Sequence, residues 1–584
     1  MNHKSSSTPY HSAAKGVIAG TDVECGFGYA YAKLPEAVER GLISEKEIDK
    51  HVVRLLEARF ELGEMDEHEA CEWSKISPSI LSCKEHRQLS LDMARQSIVL
   101  LKNEELLPLS RKQKIAVVGP NADNIPMMWG NYNGTPNSTV TILDGIRAKV
   151  GKKNVTYLKG CDLTEECVVN SFLTQCKADG KKGIRGTFWN NTTRSGKPVT
   201  TEYYVNPIAV TTSGQHTFAN GVRMEDFSAM YETTFIPEKS CKAVIRMQYT
   251  GAFSLKVNGK TLAADSTWRD QPMRFELDVE KGKKYEVELA YHTVKTWGAN
   301  MKLNIGEELP IDYNETIEKL KGIETVVFVG GISSQLEGEE MPVKIDGFKG
   351  GDRTHIELPK VQREFIRHLA EAGKKIVFVN CSGSAIALAP EAERCAAIVQ
   401  VWYPGMEGGT AVADVLFGDY NPQGKLPVTF YKSSSQLPDF EDYSMKGRTY
   451  RYFSDPLYAF GYGLSYTTFK NENIKIEKQP AGDSSLFTLH SSLKNTGKRE
   501  GTEVVQVYVR RCDDADGPLK TLKAFERVTL KPGETKKVEI KLDEEAFTLF
   551  DPDTNTMRVV PGKYEVFVGS SSRPEDLKKL NVEI

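Results

Sequence analysis

The amino-acid sequence predicts an α/β fold that is interrupted by one all-β module and followed by a second one. Short apolar runs alternate with helical patterns over much of the chain, which is typical of a parallel sheet with helices on both faces. Between about residues 182 and 308 the pattern changes to alternating polar and apolar residues, and the same alternation returns after Phe469. Alternation of this kind, divided by turn signals, indicates half-buried antiparallel strands and, at the end of the chain, a β-sandwich.

The elements of the predicted sheet follow from these apolar runs. Strands are expected at 98–101, 115–118, 155–158, 326–329, 376–379 and 398–402, and helices at 84–96, 361–372 and 409–417. The first 68 residues are predicted to be helical, because Ser44 and Glu47 can form a capping box ahead of apolar residues at helical spacing. In the middle module, Asn258-Gly259 supplies two residues that accept positive φ, so a hairpin is expected there.

Composition excludes several classes of function. The chain has 584 residues, 40% hydrophobic and 27% charged, with a formal net charge of -3. Without a basic patch we expect neither nucleic acid nor an anionic membrane as a partner, whereas a neutral sugar fits. No run of about 18 apolar residues predicts a membrane span, and the opening residues lack the apolar core of a signal peptide. The sequence leaves homo-oligomer formation open.

We expect no cofactor and no metal. The ten cysteines are scattered without a CxxC pair, and no histidines cluster, so neither a zinc site nor a disulfide scaffold is predicted. Reduced cysteines are expected, although Cys161, Cys167 and Cys176 are close enough in sequence for one bridge. A flavodoxin-like nucleotide binder is disfavoured, because the phosphate-binding loop that it would need is absent.

An acidic loop is the strongest candidate site. The apolar strand Thr325–Val329 is followed by two glycines and then by Glu337, Glu339 and Glu340. Open α/β sheets place ligand chemistry at the carboxyl ends of their strands. Carboxylates this close repel one another, which raises a pKa as a general acid requires. Taken alone, the commoner reading of such a segment is a solvated acidic loop.

Several longer motifs along the chain indicate how the acidic loop is to be interpreted. They are AGTD from Ala19, SIVLLKNEELLPL from Ser97, IAVVGPNAD from Ile115, the acidic loop with Asp352-Arg353 and Gln362, WYPGMEGGTAVADVLFGDYNPQGKLPVTF from Trp402, RTYRYF from Arg448, and PLYAFGYGLSYTTF from Pro456. In this order they resemble glycoside hydrolase family 3, the family of β-glucosidases and β-xylosidases. The resemblance implies retaining hydrolysis of terminal non-reducing β-D-xylosyl or β-D-glucosyl residues in oligosaccharides, and the TDVECG and LEGEEM segments favour xylose.

The resemblance also implies catalytic roles. The family's proton donor falls on Glu339, with Glu337 as the close rival and Glu340 third, while the sugar-binding residues stay unknown. The family nucleophile is an aspartate some tens of residues before the AGTD segment, yet no aspartate precedes Asp22 here. We therefore expect a truncated chain that is inactive alone. The alternative is a noncatalytic carbohydrate-binding or structural remnant. Full-length relatives are expected to be periplasmic or secreted.

A domain division follows from the same resemblance. Residues 1–68 would be the remnant of an amino-terminal (β/α)₈ barrel. Residues 69–181 and 309–445 would form the α/β sandwich domain, residues 182–308 a PA14-like module, and residues 446–584 a connecting loop and a fibronectin type III-like domain.

Further residues are candidates for a role around the predicted site. Asp352 and Arg353 are expected to start a helix and to form an ion pair that holds the acidic loop. Two aromatic pairs, Trp402-Tyr403 and Trp129-Tyr132, are either sugar platforms or, more commonly, packing residues. The 448–453 segment is a less favoured candidate for the rim of the site.

Overall fold

The computed structural model describes residues 6–25, 28–67, 70–212, 216–296, 298–339, 341, 343–480, 486–551 and 554–584. The chain divides into two compact units, Met1–His86 and Arg87–Ile584. Within these described ranges, no helix is both long and apolar enough to cross a membrane.

The first unit is helical, as predicted. Its helices are α1 (Pro9–Ile18), α2 (Leu34–Glu39) and α3 (Glu45–Glu61), and its small core contains Ala14, Val17, Ala37 and Ile43. The Ser44 hydroxyl accepts a hydrogen bond from the Glu47 N–H at 3.3 Å, so the N-cap half of the predicted capping box is confirmed.

The second unit opens with the first part of an α/β domain. This part comprises α4 (Lys84–Ser97), which begins just before the unit boundary, followed by β1 (Val99–Asn103), β2 (Ile115–Val118), α5 (Ile125–Trp129), α6 (Ile142–Val150) and β3 (Val155–Leu158).

The chain then forms the inserted β-domain, which we define as residues 167–310. Its strands are β4 (Cys167–Ser171), β5 (Lys177–Ala178), β6 (Lys181–Lys182), β7 (Ile184–Trp189), β8 (Thr200–Tyr204), β9 (Ile208–Thr211), β10 (Ser228–Phe235), β11 (Cys241–Val257), β12 (Lys260–Val279), β13 (Tyr285–His292) and β14 (Asn300–Pro310). They form one 11-stranded sheet around a single core.

The inserted β-domain departs from one sequence prediction and confirms another. Because β4 pairs with β14, the β-structure begins at residue 167, ahead of the predicted boundary between 181 and 182. The predicted hairpin is confirmed, with Asn258 at φ 50° and Gly259 at φ 75° between β11 and β12. The two strands on either side of this turn are long, with 17 residues in β11 and 20 in β12.

The α/β domain then resumes. Its remaining elements are α7 (Tyr313–Lys319), β15 (Thr325–Gly331), β16 (Lys344–Ile345), β17 (Phe348–Lys349), β18 (Asp352–Arg353), α8 (Lys360–Glu371), β19 (Lys375–Cys381), α9 (Ala389–Arg394), β20 (Ala397–Gln400) and α10 (Gly408–Leu416). The central sheet has the order β1-β20-β19-β15-β2-β3.

This sheet corrects the prediction of a wholly parallel arrangement. Five strands are parallel, but the edge strand β1 runs antiparallel to β20. Sheets of this class commonly carry an antiparallel edge strand. A run of apolar residues predicts a buried strand but does not indicate the direction in which that strand runs. Alternate residues of β15 enter two cores, Val327 and Val329 on one face and Val326 and Phe328 on the other, so both faces are covered as predicted.

The chain ends in a β-sandwich. After the short helix α11 (Thr449–Tyr452) come β21 (Phe469–Lys478), β22 (Phe487–Asn495), β23 (Gly501–Arg511), β24 (Thr521–Leu530), β25 (Thr535–Leu542), β26 (Thr548–Asp551), β27 (Thr556–Val559), β28 (Lys563–Gly569) and β29 (Leu577–Glu583). Sheets β21-β22-β25 and β24-β23-β28-β29 share one core, and β26-β27 forms a separate ribbon.

Candidate active site

The acidic loop leaves the central sheet at Gly331, the last residue of β15. Gly331 has φ 111°, and a Cβ there would lie 2.0 Å from the carbonyl oxygen of Cys381 on the neighbouring strand. The buried Gln362 side chain also fixes this residue, since it accepts from the Gly331 N–H and donates to the Gly331 carbonyl, both at 2.8 Å. The loop therefore starts from a rigid point at the carboxyl edge of the sheet.

Among the described residues, three donors that follow β19 and β20 hold Glu337. Its Oε1 accepts from the Gly383 N–H at 2.9 Å and from the Tyr403 hydroxyl, and its Oε2 accepts from the Ser384 hydroxyl at 2.8 Å. Burial and the Glu337 carboxylate raise the pKa of Tyr403, so that phenol stays protonated and donates. Both oxygens of this half-buried carboxylate thus accept hydrogen bonds from the protein.

Glu339 has a different environment, two residues further along the loop. Its side chain is exposed, and its Oε2 accepts a hydrogen bond from the Tyr132 hydroxyl. Tyr132 itself is 86% exposed, and the Glu339 carboxylate is the main cause that raises its pKa. The structure therefore separates the two predicted carboxylates, one fixed against the sheet and one open to solvent. Glu340, the third candidate, lies outside the described residues.

The Asp352-Arg353 pair does not start a helix, which corrects the prediction. The two residues form β18, the last strand of a small β16-β17-β18 sheet, and the helix begins at Lys360. Neighbouring residues of a strand point to opposite sides. Asp352 is exposed, whereas Arg353 turns inward and donates to the carbonyls of His355 at 3.1 Å and Glu357 at 3.2 Å. The predicted ion pair between them is not among the contacts of the described residues.

Arg353 nevertheless supports the acidic loop. Burial lowers the pKa of its guanidinium, and the negative charges of Glu337 and Glu357, together with Tyr403, act in the opposite direction. Its guanidinium lies 5.0 Å from the centre of the Phe348 ring. Arg353 thus places a positive charge near Glu337. Its hydrogen bonds to the carbonyls of His355 and Glu357 hold the backbone where the loop ends.

The other predicted residues have structural contacts. The Trp402 and Trp129 indoles donate to the Ser97 carbonyl and the Thr139 hydroxyl, each at 2.9 Å. In the 448–453 segment, Tyr450 stacks on Phe460 and its hydroxyl accepts from the Leu522 N–H at 3.1 Å, so this segment contacts the β-sandwich.

Two kinds of partner were missed by sequence reasoning. Gly383 and Ser384 follow β19, which is parallel to β15 and adjacent to it. Because the carboxyl ends of parallel neighbours meet at one edge, the SGS turn after β19 was a usable signal. The hydroxyls of Tyr132 and Tyr403 gave no such signal, since aromatic residues there are equally compatible with packing.

Two known domain families match the chain. A sequence model of the glycosyl hydrolase family 3 C-terminal domain matches residues 98–466, and a fibronectin type III-like domain matches residues 503–572. A xylan 1,4-beta-xylosidase from Xylanibacter ruminicola is 59% identical over 587 residues, which cover 100% of this chain and 68% of that protein. A periplasmic beta-glucosidase from Salmonella typhimurium is 28% identical over 98% of this chain and 60% of that protein.

A solved structure is also similar. The beta-glucosidase from Kluyveromyces marxianus in complex with glucose is 26% identical, with a TM-score of 0.71 over 98% of this chain and 72% of that chain. This chain spans between 60% and 68% of the length of the two relatives above. The domain match, which covers more than half of the chain, and the xylosidase relative together show that the chain belongs to glycoside hydrolase family 3.

Proposed function

We propose that this chain supplies the acid/base carboxylate of a retaining glycosidase that releases terminal β-D-xylosyl or β-D-glucosyl residues from oligosaccharides. The observation that carries the proposal is the exposed carboxylate of Glu339 on a loop that Glu337 fixes to the edge of the sheet. The 59% identity to a protein named as a xylan 1,4-beta-xylosidase supports xylosyl over glucosyl substrates.

Glu339 is proposed as the proton donor because its carboxyl group is free to meet a substrate. A general acid must place its proton within hydrogen-bond reach of the leaving oxygen. Glu337 would have to give up its bonds to Gly383, Ser384 and Tyr403 before it could do so. Among the residues that the structure describes, Glu339 has only the bond from Tyr132 to give up or share. We assign Glu337 the role of holding the loop.

Tyr132 is proposed to orient Glu339. A phenol that donates to one carboxylate oxygen leaves the other oxygen to carry the proton that is transferred. In the retaining mechanism this carboxyl group first protonates the glycosidic oxygen and then, as a carboxylate, deprotonates the attacking water.

The same mechanism needs a second carboxylate about 5 Å from the first, which attacks the anomeric carbon. Asp22, the first aspartate of the sequence, binds His51 Nδ1 at 2.5 Å and Arg54 Nη2 at 2.6 Å, and both partners lower its pKa. These contacts support a structural role for Asp22. We propose that the nucleophile is not among the residues of this chain.

We also propose the domain division that the sequence indicates. The family matches at 98–466 and 503–572 support an α/β domain of the glycosidase family and a fibronectin type III-like sandwich within 446–584. The assignments of residues 1–68 to a barrel and of the insertion to the PA14 type stay predictions. The name of the Salmonella typhimurium relative supports a periplasmic or secreted location.

The proposal is tested in a completed enzyme. The chain would be joined to the part of the Xylanibacter ruminicola relative that it does not cover, and Glu339→Gln would be compared with Glu337→Gln. We expect Glu339→Gln to slow the hydrolysis of xylosides with poor leaving groups about 10²–10⁴-fold, with much less effect on activated aryl xylosides, because an activated group leaves without a proton. Glu337→Gln should lower activity on both substrates alike through the loop. The reverse assignment of these two signatures would make Glu337 the acid.

A further inference from the structure

A shallow groove lies on the outer face of the inserted β-domain. It has a volume of about 610 Å³ and is formed by β6, β7, β8 and β10 with the turn before β6. Its wall includes the side chains of Asp179, Lys181, Arg185, Trp189, Tyr203 and Glu232. The groove is open to solvent, so a ligand could reach these side chains.

The pairing of the three strands sets the composition of this face. On β7, Ile184 and Phe188 enter the core, whereas Arg185, Thr187 and Trp189 point outward. Across the strands, Arg185 lies opposite Tyr203 of β8 and Glu232 of β10. Aromatic, hydroxyl and charged groups therefore share one surface.

The charges of the groove are paired with one another. Arg185 forms ion pairs with Asp179 at 2.5 Å and with Glu232 at 2.6 Å, and the Tyr203 hydroxyl donates to Asp179 at 3.1 Å. The Lys181 ammonium lies 4.4 Å from the centre of the Tyr203 ring. With two acids and two bases, the lining has no net charge, so it offers no electrostatic attraction to an anion or a cation.

The two aromatic rings supply apolar surface between these polar groups. The Trp189 indole is oriented by a hydrogen bond from Nε1 to the Gly196 carbonyl at 3.1 Å. The Tyr203 ring is oriented by its bond to Asp179. A sugar has apolar C–H faces and a rim of hydroxyls, which match aromatic rings and paired charged side chains respectively.

We propose that this groove binds a neutral, linear oligosaccharide, with Trp189 and Tyr203 as stacking platforms and Arg185, Asp179 and Glu232 as hydrogen-bonding partners of its hydroxyls. The site is formed by residues of the inserted β-domain alone. It holds a glycan without cleaving it, and its binding does not depend on the chemistry of Glu339.

Isothermal titration calorimetry of the whole chain tests the proposal. Xylohexaose and cellohexaose are the neutral probes, and a galacturonic acid oligomer of similar length is the charged probe. We expect binding of at least one neutral probe, and a loss of affinity of about tenfold or more in Trp189→Ala and in Tyr203→Ala. Trp268→Ala is the matched control, because Trp268 is exposed on β12 of the same domain and does not line the groove. It should leave the affinity unchanged.

Two further variants keep the result interpretable. Trp189→Phe keeps an aromatic ring and should bind with most of the affinity of the unaltered chain. This result would show that the affinity lost in Trp189→Ala comes from the missing ring and not from a general loss of folding. Glu339→Gln should bind as the unaltered chain does, so failure of the acid/base proposal would leave this one intact. Absence of binding to both neutral probes, preference for the charged oligomer, or unchanged affinity in both alanine variants would each overturn the groove as a glycan site.

Discussion

Glu337 and Glu339 show how far a residue's role depends on its neighbours in space. The two are the same residue type, two positions apart, and the sequence motif left both as candidates. The donors to Glu337 lie 46, 47 and 66 positions away in the chain, and the donor to Glu339 lies 207 positions away. The acidic loop was predictable from the strand and glycines before it. Which of the two glutamates is held and which is exposed depends on donors that only the folded chain brings near them.

The hydrogen bond that the Tyr403 hydroxyl donates to Glu337 leads to a prediction about the stability of the acidic loop. Tyr403→Phe removes one of three donors to a partly buried carboxylate, and hydrogen bonds to charged groups contribute roughly 1.5–3 kcal/mol. We expect the local opening free energy of residues 332–339 to fall by about that amount, measured by hydrogen exchange. Tyr443→Phe is the matched control, because Tyr443 is 91% exposed. Equal exchange in the two variants would mean that the hydroxyl does not hold the loop.

At the scale of elements, most of the central sheet could be predicted because its strands are continuous apolar runs. Ile115–Val118 and Val155–Leu158 coincide with β2 and β3, and the helix expected at 361–372 is α8, shifted by one residue. The direction of β1 could not be predicted, since it depends on how the chain returns to the edge of the sheet. The β16-β17-β18 sheet was also missed, because two-residue strands have no periodicity to detect.

The junction of β15 and the acidic loop gives a prediction for a backbone position. Gly331→Ala introduces a Cβ 2.0 Å from a backbone oxygen of β19 at φ 111°, so neither strain nor clash can be relieved locally. We expect a loss of stability above about 3 kcal/mol, seen as a lower melting temperature or loss of soluble protein. Gly322→Ala is the control, since Gly322 has φ 79° with nothing within 4 Å of its added Cβ. It should cost only about 1 kcal/mol. Similar losses in both variants would show that close packing at Gly331 contributes little.

For the whole molecule, the order of its parts was predictable and their boundaries were less so. The change from apolar runs to alternation marks the inserted β-domain, and the return of alternation marks the closing sandwich. The start of the insertion was placed late, because the five-residue strand β4 (Cys167–Ser171) is recognisable only through its pairing with β14. Likewise, the first compact unit extends to His86 rather than to residue 68, since the segment between lacks a clear periodic signal.

The last prediction concerns the activity of the chain as a whole. We expect the purified 584-residue chain to hydrolyse neither aryl β-xylosides nor aryl β-glucosides at ordinary enzyme rates, because an acid without an attacking carboxylate cannot form the glycosyl-enzyme intermediate. The measurement is release of the aryl group, with a Glu337→Gln and Glu339→Gln double variant as the control for contaminating glycosidases. Turnover that is present in the chain and absent from the double variant would contradict the proposal. A carboxylate of this chain would then be the nucleophile, and Asp22, despite its bonds to His51 and Arg54, would be the first to substitute.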